Sequence, residues 1–456
     1  MLIDKLIDTL GDKGVLTGHD IGDRYRCDWS NENPRLPVAV LRPASTGELS
    51  TILRLCYEAG QKIVVQGGLT GLAGGATPRA DEMAVTLERM SGVEELDADS
   101  MTITVLAGTP LQKVQEAAHE AGFHFPLDLG ARGSCTIGGN VSTNAGGNQV
   151  IRYGMMRNQV LGLEAVLADG TVVSSLNKML KNNAGYDLKH LFIGTEGTLG
   201  IVTRVVLRLQ PRYAATCTAM CALNSFPDVV KLLQKTGNDL SGNVSSFEVM
   251  WSDYYQFIVD HVDHVRSPFE RSYPLYVLLE TEGSQQEQDE ERFMAVLGDA
   301  METGLVEDVV IAQSQKDADM FWAIRDGIGD VTPLLTPMAN FDISIPISRM
   351  NAFLDYITVE LNERFTAIKI LIFGHIGDGN LHILVTTGAA GDVKTFYDIV
   401  YGTMEDYQGS ISAEHGVGVI KKDYLPCSRN AEEIELMRTL KTALDPKGIL
   451  NPGRIV

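Results

Sequence analysis

The sequence predicts an α+β fold of more than one domain, on three observations. A strand–helix–strand rhythm sets in at Pro37, three glycine-rich stretches interrupt the chain before Pro211, and beyond Pro211 the character of the sequence changes. With 456 residues the chain exceeds one ordinary domain. Apolar residues at 44% and charged residues at 21% leave ample material for a large core. A formal net charge of −21 argues against nucleic acid or an anionic membrane surface as the main partner. It leaves an anionic small molecule open, because a positive pocket can sit inside a negative shell.

The stretch Met1-Leu2-Ile3-Asp4-Lys5-Leu6-Ile7-Asp8 mixes charges among its apolar residues and does not read as a secretory signal, and no run reaches membrane-spanning length. Cys27, Cys56, Cys135, Cys217, Cys221 and Cys427 form no CxxC pair, so reduced thiols in a cytoplasmic setting are expected. Residues 1–30 read as helical, then irregular. Pro37-Val38-Ala39-Val40-Leu41 reads as a strand, Leu49, Ile52, Leu53 and Cys56 recur at helical spacing between Gly47 and Gly60, and Lys62-Ile63-Val64-Val65 reads as a second strand. Beyond Pro211 glycine thins out. Runs such as Tyr276–Glu280 and Val309–Ile311 alternate there with polar helical stretches, which predicts a sheet with helices on one face. The tail from Ile411 carries glycine again. These shifts divide the chain into 1–212, 213–410 and 411–456, with no fixed-period repeat and no low-complexity linker.

The first glycine-rich stretch, Gln66-Gly67-Gly68-Leu69-Thr70-Gly71-Leu72-Ala73-Gly74-Gly75, follows a strand directly. Its glycines leave backbone N–H groups uncovered, so the loop can wrap a phosphate or pyrophosphate. It fits neither the Rossmann nor the P-loop pattern, and alone it reads equally well as a turn. The second, Ser134-Cys135-Thr136-Ile137-Gly138-Gly139-Asn140-Val141-Ser142-Thr143-Asn144-Ala145-Gly146-Gly147, follows Leu129-Gly130 and mixes glycine with small hydroxyl and amide side chains. Such a stretch lets backbone lie flat on a planar ligand while Ser, Thr and Asn meet its polar edges. The third runs from Gly194 through Gly197, Gly200, Ile201 and Val202 to Thr203. Three such loops in one domain exceed what turns alone require.

Lys369–Phe373 is a strand by composition, Gly374-His375-Ile376-Gly377-Asp378-Gly379-Asn380 follows, and Leu381-His382-Ile383-Leu384-Val385 returns. Asp-Gly between two apolar runs signals a hairpin, which brings His375 and His382 together across two strands. Downstream, Ser412-Ala413-Glu414-His415-Gly416-Val417-Gly418 adds a carboxylate and a third imidazole. Two imidazoles and a carboxylate make a catalytic metal set with an open position, suited to zinc or to non-haem iron. A lone histidine would more often merely hydrogen-bond within a sheet; this grouping favours a metal.

The glycine-rich stretches resemble the FAD-binding domain of the vanillyl-alcohol oxidase/p-cresol methylhydroxylase superfamily. The resemblance implies a two-subdomain FAD-binding domain, an antiparallel-sheet substrate (cap) domain and a C-terminal segment returning to the flavin. The first loop resembles the pyrophosphate loop, and Gly138-Gly139-Asn140 with Asn144 the segment facing the isoalloxazine. The FAD contacts implied are Pro43, Gln66, Gly67, Gly68, Leu69, Thr70, Gly71, Gly74, Gly75, Leu129, Gly130, Ser134, Cys135, Gly138, Gly139, Asn140, Ser142, Thr143, Asn144, Gly146, Gly197, Gly200, Ile201, Val202 and Asn451. Some members tether the flavin through a histidine in the first loop; none stands between Gln61 and Arg79, so non-covalent FAD is expected.

From about Pro37 to the end, Gly374–His382, Ser412–Gly418, Phe192–Gly200 and Leu444–Pro452 resemble the D-2-hydroxy acid dehydrogenase branch, nearest to the D-2-hydroxyglutarate dehydrogenases. That resemblance implies zinc on His375, His382 and Glu414, His415 as the base, and Asn380 at the substrate. Arg325 is the candidate to take a substrate carboxylate in a forked geometry; the alternative is a surface ion pair with Asp326 or Asp330. The implied reaction is oxidation of D-2-hydroxyglutarate to 2-oxoglutarate, with electrons passing to an electron-transfer flavoprotein, a quinone or oxygen. Enzymes of that branch carry a threonine and a lysine where this chain has Gly329 and Asn340, which keeps D-lactate, glycolate or another monocarboxylate in play. Asn340 still donates hydrogen bonds, and Thr332 or Thr336 stand near enough in sequence to compensate. A flavin-free metallohydrolase and a non-catalytic FAD subunit are the rival classes. The oligomeric state is open, a homodimer included.

Overall fold

Leu49, Ile52, Leu53 and Cys56 fall on one face of the helix Thr46–Ala59 and are fully buried. Ser45 caps its start by accepting from Glu48 N at 3.2 Å, and Gly60 ends it in the left-handed conformation. The strands on either side of this helix are parallel to a third, as a right-handed crossover allows. The computed structural model describes residues 2–456. The chain divides into two units: one runs to Gly147, resumes at Gly154–Arg212 and closes with Glu414–Val456; the other comprises Asn148–Tyr153 and Tyr213–Ala413.

The first unit holds two main sheets. β1 (Val15–Thr17), β2 (Ala39–Leu41), β3 (Ile63–Gln66) and β4 (Met83–Thr86) form the first, in the order β1-β2-β4-β3. The N-terminal stretch is helical over Leu2–Leu10, then passes through short turns before β1 pairs antiparallel with β2. β5 (Val93–Asp97), β6 (Thr102–Leu106), β7 (Phe123–His124), β8 (Val160–Val166), β9 (Val172–Ser175), β10 (Ile201–Arg208) and β11 (Gln210–Pro211) follow. Of these, β7 and β11 pair with each other, and the rest form an antiparallel sheet in the order β5-β6-β10-β8-β9. One hydrophobic core serves both sheets, from Leu49 and Ile63 to Ile103, Leu163 and Val205.

The C-terminal tail returns into this unit beside β3. Ile63 N donates to Ile449 O and Asn451 N donates to Ile63 O, both at 2.8 Å. Arg454, near the end of the chain, is buried and forks onto both carboxylate oxygens of the equally buried Glu82. Its Nη2 also donates to Thr77 O at 2.6 Å and its Nε to Gly75 O at 3.3 Å, so the tail fastens the end of the first glycine-rich loop.

The second unit is built on one antiparallel sheet. β12 (Ala215–Leu223), β13 (Val244–Trp251), β14 (Leu275–Gly283), β15 (Asp308–Ile311), β16 (Ala339–Ser344), β17 (Lys369–His375) and β18 (Asn380–Thr386) run in the order β15-β12-β14-β13-β17-β18-β16. Helices cover both faces, not one. Tyr254 of the helix Ser252–His261 stacks on Phe373, with centroids 4.2 Å apart. On the opposite face Phe341 meets Tyr401 of the helix Val393–Gly402 at 5.2 Å. The reason is compositional: Phe341, Ile343, Leu381 and Ile383 make the second face as apolar as the first, so it too needs cover. The segment Asn148–Tyr153 belongs here because Arg152 Nη1 donates to Glu282 O at 2.6 Å and to Asn243 O at 3.0 Å. No helix among the described residues is long and apolar enough to cross a membrane.

Removing Arg454 would leave Glu82 buried without a counter-charge. Arg454→Ala is expected to cost about 3–5 kcal/mol of stability, read as a lower midpoint in urea denaturation. Arg454→Lys should recover little, since one ammonium cannot replace the fork.

Candidate active site

In the first unit β3 delivers the chain into the loop Gly67–Gly75. Gly67 and Gly68 press on the second glycine-rich stretch: a Cβ on Gly68 would stand 2.1 Å from Ser134 O, and one on Gly67 2.8 Å from Thr136 Oγ1. Gln66 Nε2 donates to Tyr25 O and Ala76 O, each at 3.0 Å, which leaves Gln66 Oε1 buried with no hydrogen-bond partner. Asn140 Nδ2, in the helix Ile137–Thr143, is likewise buried and unpartnered. Such atoms cost roughly 1–3 kcal/mol each when left unmade. Backbone stripped of Cβ atoms, with one acceptor and one donor left over, fits a dinucleotide cofactor that supplies the missing partners.

The same unit positions Glu414. Its Oε1 accepts from Gly147 N at 2.6 Å, and a Cβ on Gly146 would lie 2.2 Å from that oxygen. The turn that follows is held by Glu196, whose buried carboxylate accepts from Val417 N at 2.7 Å and Gly418 N at 2.9 Å. Burial raises the Glu196 carboxyl above its usual range, while these two amides pull it back. The third glycine-rich stretch therefore braces the loop that carries Glu414 and His415.

In the second unit, strand register gathers a polar group on one face. Glu248 pairs with His375, Phe373 and Asp342 each pair with His382, and Ser344 pairs with Asn380. Directly opposed residues share a face, so Glu248, His375, His382, Asp342 and Asn380 all point the same way. The two imidazoles are buried, with ring centroids 5.3 Å apart. His375 Nδ1 donates to Glu248 Oε1 at 2.6 Å, and Arg325 Nε donates to Glu248 Oε2 at 2.7 Å. Burial would raise the Glu248 carboxyl, but the hydrogen bond from His375 and the Arg325 guanidinium outweigh it and hold the group below its usual range. Asn380 Nδ2 donates to Asp342 Oδ1 at 2.9 Å, leaving Asn380 Oδ1 buried and unpartnered. Asp342 Oδ2 also accepts from Ser412 Oγ at 3.2 Å, and Asp342 O accepts from Ala413 N, the residue directly before Glu414. Paired imidazoles beside an orphaned amide oxygen suit a first-row divalent ion.

The C-terminal domain of FAD linked oxidases matches residues 212–455, and an FAD binding domain matches residues 37–175. D-2-hydroxyglutarate dehydrogenase, mitochondrial, of Arabidopsis thaliana is 38% identical over 98% of this chain and 80% of its own length. The D-2-hydroxyglutarate dehydrogenase of Xanthomonas citri pv. viticola is 38% identical over 95% of this chain and 92% of its own. The chain belongs to the FAD-linked oxidases. Like its relatives in that family it is an FAD-dependent dehydrogenase. Among solved structures, substrate-bound p-cresol methylhydroxylase has the same fold, with a TM-score of 0.80 at 16% identity, covering 100% of this chain and 96% of that one.

For this FAD-linked oxidase, every residue expected at the cofactor lies in the first unit, with Glu414 and His415; His375, His382, Asn380, Arg325 and Asn340 lie in the second. Some candidates already have structural work. Asn451 Oδ1 accepts from Val65 N at 2.8 Å while its Nδ2 donates to Glu196 O. Ser142 and Thr143 donate to carbonyls one turn back in their own helix, at 2.7 Å and 3.1 Å. Arg325 is not in a surface pair: it is buried against Glu248, with Asp326 Oδ1 at 3.5 Å from its Nη1. Asn340 shares the face of Asp342, two residues along β16. Thr332 and Thr336 donate to helix carbonyls at 2.8 Å and 3.1 Å, and the space beside Gly329 is open. Glu248, Asp342 and Glu196 were missed by sequence reasoning. Only Glu196 had a visible signal, as the one charge inside a glycine-rich stretch.

Gly68→Ala is expected to separate the two glycine-rich loops and yield folded protein largely depleted of FAD, read as flavin released per chain on denaturation. Full flavin content in this variant would remove the first loop from the cofactor site.

Proposed function

We propose that this FAD-linked oxidase converts D-2-hydroxyglutarate to 2-oxoglutarate with the help of a divalent metal, zinc in the first instance, held by His375, His382 and Glu414. The paired buried imidazoles, each beside a carboxylate of its own sheet, carry the metal part of this reading. The substrate reading is supported by the names of relatives that align over nearly the whole chain. When bound, the ion supplies Lewis acidity toward a 2-hydroxy carboxylate, and the flavin supplies a two-electron acceptor.

The protein's own groups do the rest. Asn380 lies at the substrate with its Nδ2 spent on Asp342 Oδ1 and Ile343 O and its oxygen spare. His415 takes the hydroxyl proton on a ring nitrogen. Loss of that proton, together with the C2 hydrogen and its electron pair, leaves the 2-keto acid. Arg325 meets a substrate carboxylate through its fork, and Asn340 donates to the distal end. Tyr254, Phe373 and Leu384, packed together on the same face, keep bulk water from its flank. An electron-transfer flavoprotein or quinone is the proposed electron acceptor, a homodimer the proposed assembly, and the reduced state of all six cysteines fits a cytoplasmic setting.

The test is anaerobic bleaching of the bound flavin by D- and L-2-hydroxy acids, with and without chelator. D-2-hydroxyglutarate should bleach it, the L-enantiomer should not, and chelator should stop the reaction. Faster bleaching by D-lactate would move the substrate to a monocarboxylate; no bleaching by any 2-hydroxy acid would sink the reading. His375→Ala and Glu414→Ala are expected to lose metal and lower turnover by about 10³-fold or more while retaining FAD. Gly146→Ala, whose new methyl displaces the Glu414 carboxylate, should show the same metal loss in milder form. Arg325→Ala should chiefly raise KM, by about 10–100-fold for a lost charge-assisted contact.

A further inference from the structure

His375 is gripped at both ring nitrogens by groups of its own unit, and the two grips have different chemistry. Glu248 Oε1 lies 2.6 Å from Nδ1 and Arg325 Nη2 lies 3.1 Å from Nε2. A guanidinium carries only donors, so Nε2 accepts; a carboxylate facing Nδ1 accepts, so Nδ1 carries the hydrogen. The imidazole is thereby fixed as the neutral tautomer with a single lone pair on Nε2. That lone pair is the one a metal would need, because Nδ1 is taken up by Glu248. Glu248 and Arg325 are themselves joined through Nε at 2.7 Å, and the guanidinium carbon lies 4.8 Å from the centre of the Phe373 ring.

We infer that Glu248 and Arg325 act on His375 in opposite senses: Glu248 is a positioning residue that presents Nε2 to the metal, and Arg325 is a competitor for the same lone pair. The inference rests on the reading of His375 as a metal ligand and deepens it. Metal arrival displaces Arg325 Nη2 from Nε2 and frees that donor for a substrate carboxylate. Metal and substrate anion therefore bind with positive coupling, each removing a partner that hinders the other. A carboxylate behind a ligating histidine also raises its donor strength and fixes its ring, which is why outer partners of this kind tune metal affinity.

The experiment strips the purified flavoprotein of metal and titrates it with zinc against a chromophoric chelator, following FAD content and thermal stability in parallel. Glu248→Gln should weaken zinc binding by about 10–100-fold. Arg325→Met should tighten it by about tenfold, since it removes a donor to the lone pair and a positive charge beside the ion. A merely structural role for either residue moves both variants in the same direction, and that result, or no change in either, overturns the inference. Should Glu248→Gln fail to fold around an unpaired arginine, the double variant Glu248→Gln/Arg325→Met removes both buried charges together. It is expected to bind zinc more weakly than Arg325→Met alone; equal or tighter binding overturns the positioning role. In wild type, 2-oxoglutarate should tighten zinc binding, in part through its own contact with the ion, and this effect should shrink in Arg325→Met; undiminished coupling there overturns the displacement of Arg325. His375→Ala separates the two levels of argument. Zinc binding unchanged in that variant defeats the metal site itself, whereas its loss, with same-direction effects in the other two, defeats only the opposed roles.

Discussion

Glu248 stands opposite His375 across β13 and β17, and Asp342 opposite His382 across β16 and β18. Side chains alternate along a strand, so a slip of one residue in either pairing would send the imidazole to one face and its carboxylate to the other. Apolar burial alone does not prevent that slip, because Met250, Phe373 and Leu384 fill one face while Phe341, Ile343, Leu381 and Ile383 fill the other. The polar pairs do: a carboxylate buried without its partner adds several kcal/mol to the cost of a wrong register. Polar chemistry selects the pairing that packing on two apolar faces leaves open.

The first unit relies on a different device, close approach of backbone to backbone. Gly68 meets Ser134 O, Gly147 donates to Glu414, and Gly146 leaves room for the same carboxylate. Loops held this way have little side-chain packing of their own, and the C-terminal tail supplies the missing anchorage. Asn451 ties β3 to Glu196, Lys441 Nζ donates to Thr198 O and Leu450 O, and Arg454 fastens Gly75 and Thr77 to Glu82. These are long-range ties between sequence-distant loops, so their value lies in fixing geometry more than in adding apolar area. A loop that must admit a large planar ligand cannot be filled with its own side chains; its rigidity has to be imposed from outside.

Local patterns made much of this legible. The helical spacing from Leu49 to Cys56 and the strand run at Ile63 form where the pattern places them, and Asp378-Gly379 does turn the hairpin that joins His375 to His382. The turn itself is a single 3₁₀ turn ending in left-handed Gly379, which the dipeptide alone did not specify. What escaped was non-local. Glu248 lies in an apolar run 127 residues from His375, and nothing in its neighbourhood marks it as a partner. Asn148–Tyr153 joins the second unit through Arg152 and Glu282, 130 residues apart, although it falls inside 1–212, which reads as one domain. The expectation of helices on one face failed because strand β16 was not recognised, and with it went the second apolar face. Spacing rules see neighbours along the chain, whereas pairing across a sheet is set by topology.

Arg325 illustrates how an acidic chain can handle an acid. At a net charge of −21 the overall field repels an anionic substrate, so steering from a distance contributes little. Arg325 is also matched by Glu248 inside the fold, and it offers an incoming anion a fork of donors more than a free charge. On the proposed reading, the carboxylate next to the reacting carbon meets this fork, and the metal fixes the hydroxyl. On the same proposed reading, the far end of the substrate meets a different environment. Gly329 contributes only space, and the Thr332 and Thr336 hydroxyl hydrogens are engaged by helix carbonyls, which leaves neutral donors such as Asn340 for a second carboxylate. On that reading, His375, His382 and Arg325, locked together at the sheet, contribute to the geometry of oxidation. If Gly329 and Asn340 stand at the substrate's tail, as proposed, its length and charge are set by groups that can change without disturbing that lock, and such a separation would let one fold serve several 2-hydroxy acids with a single reaction.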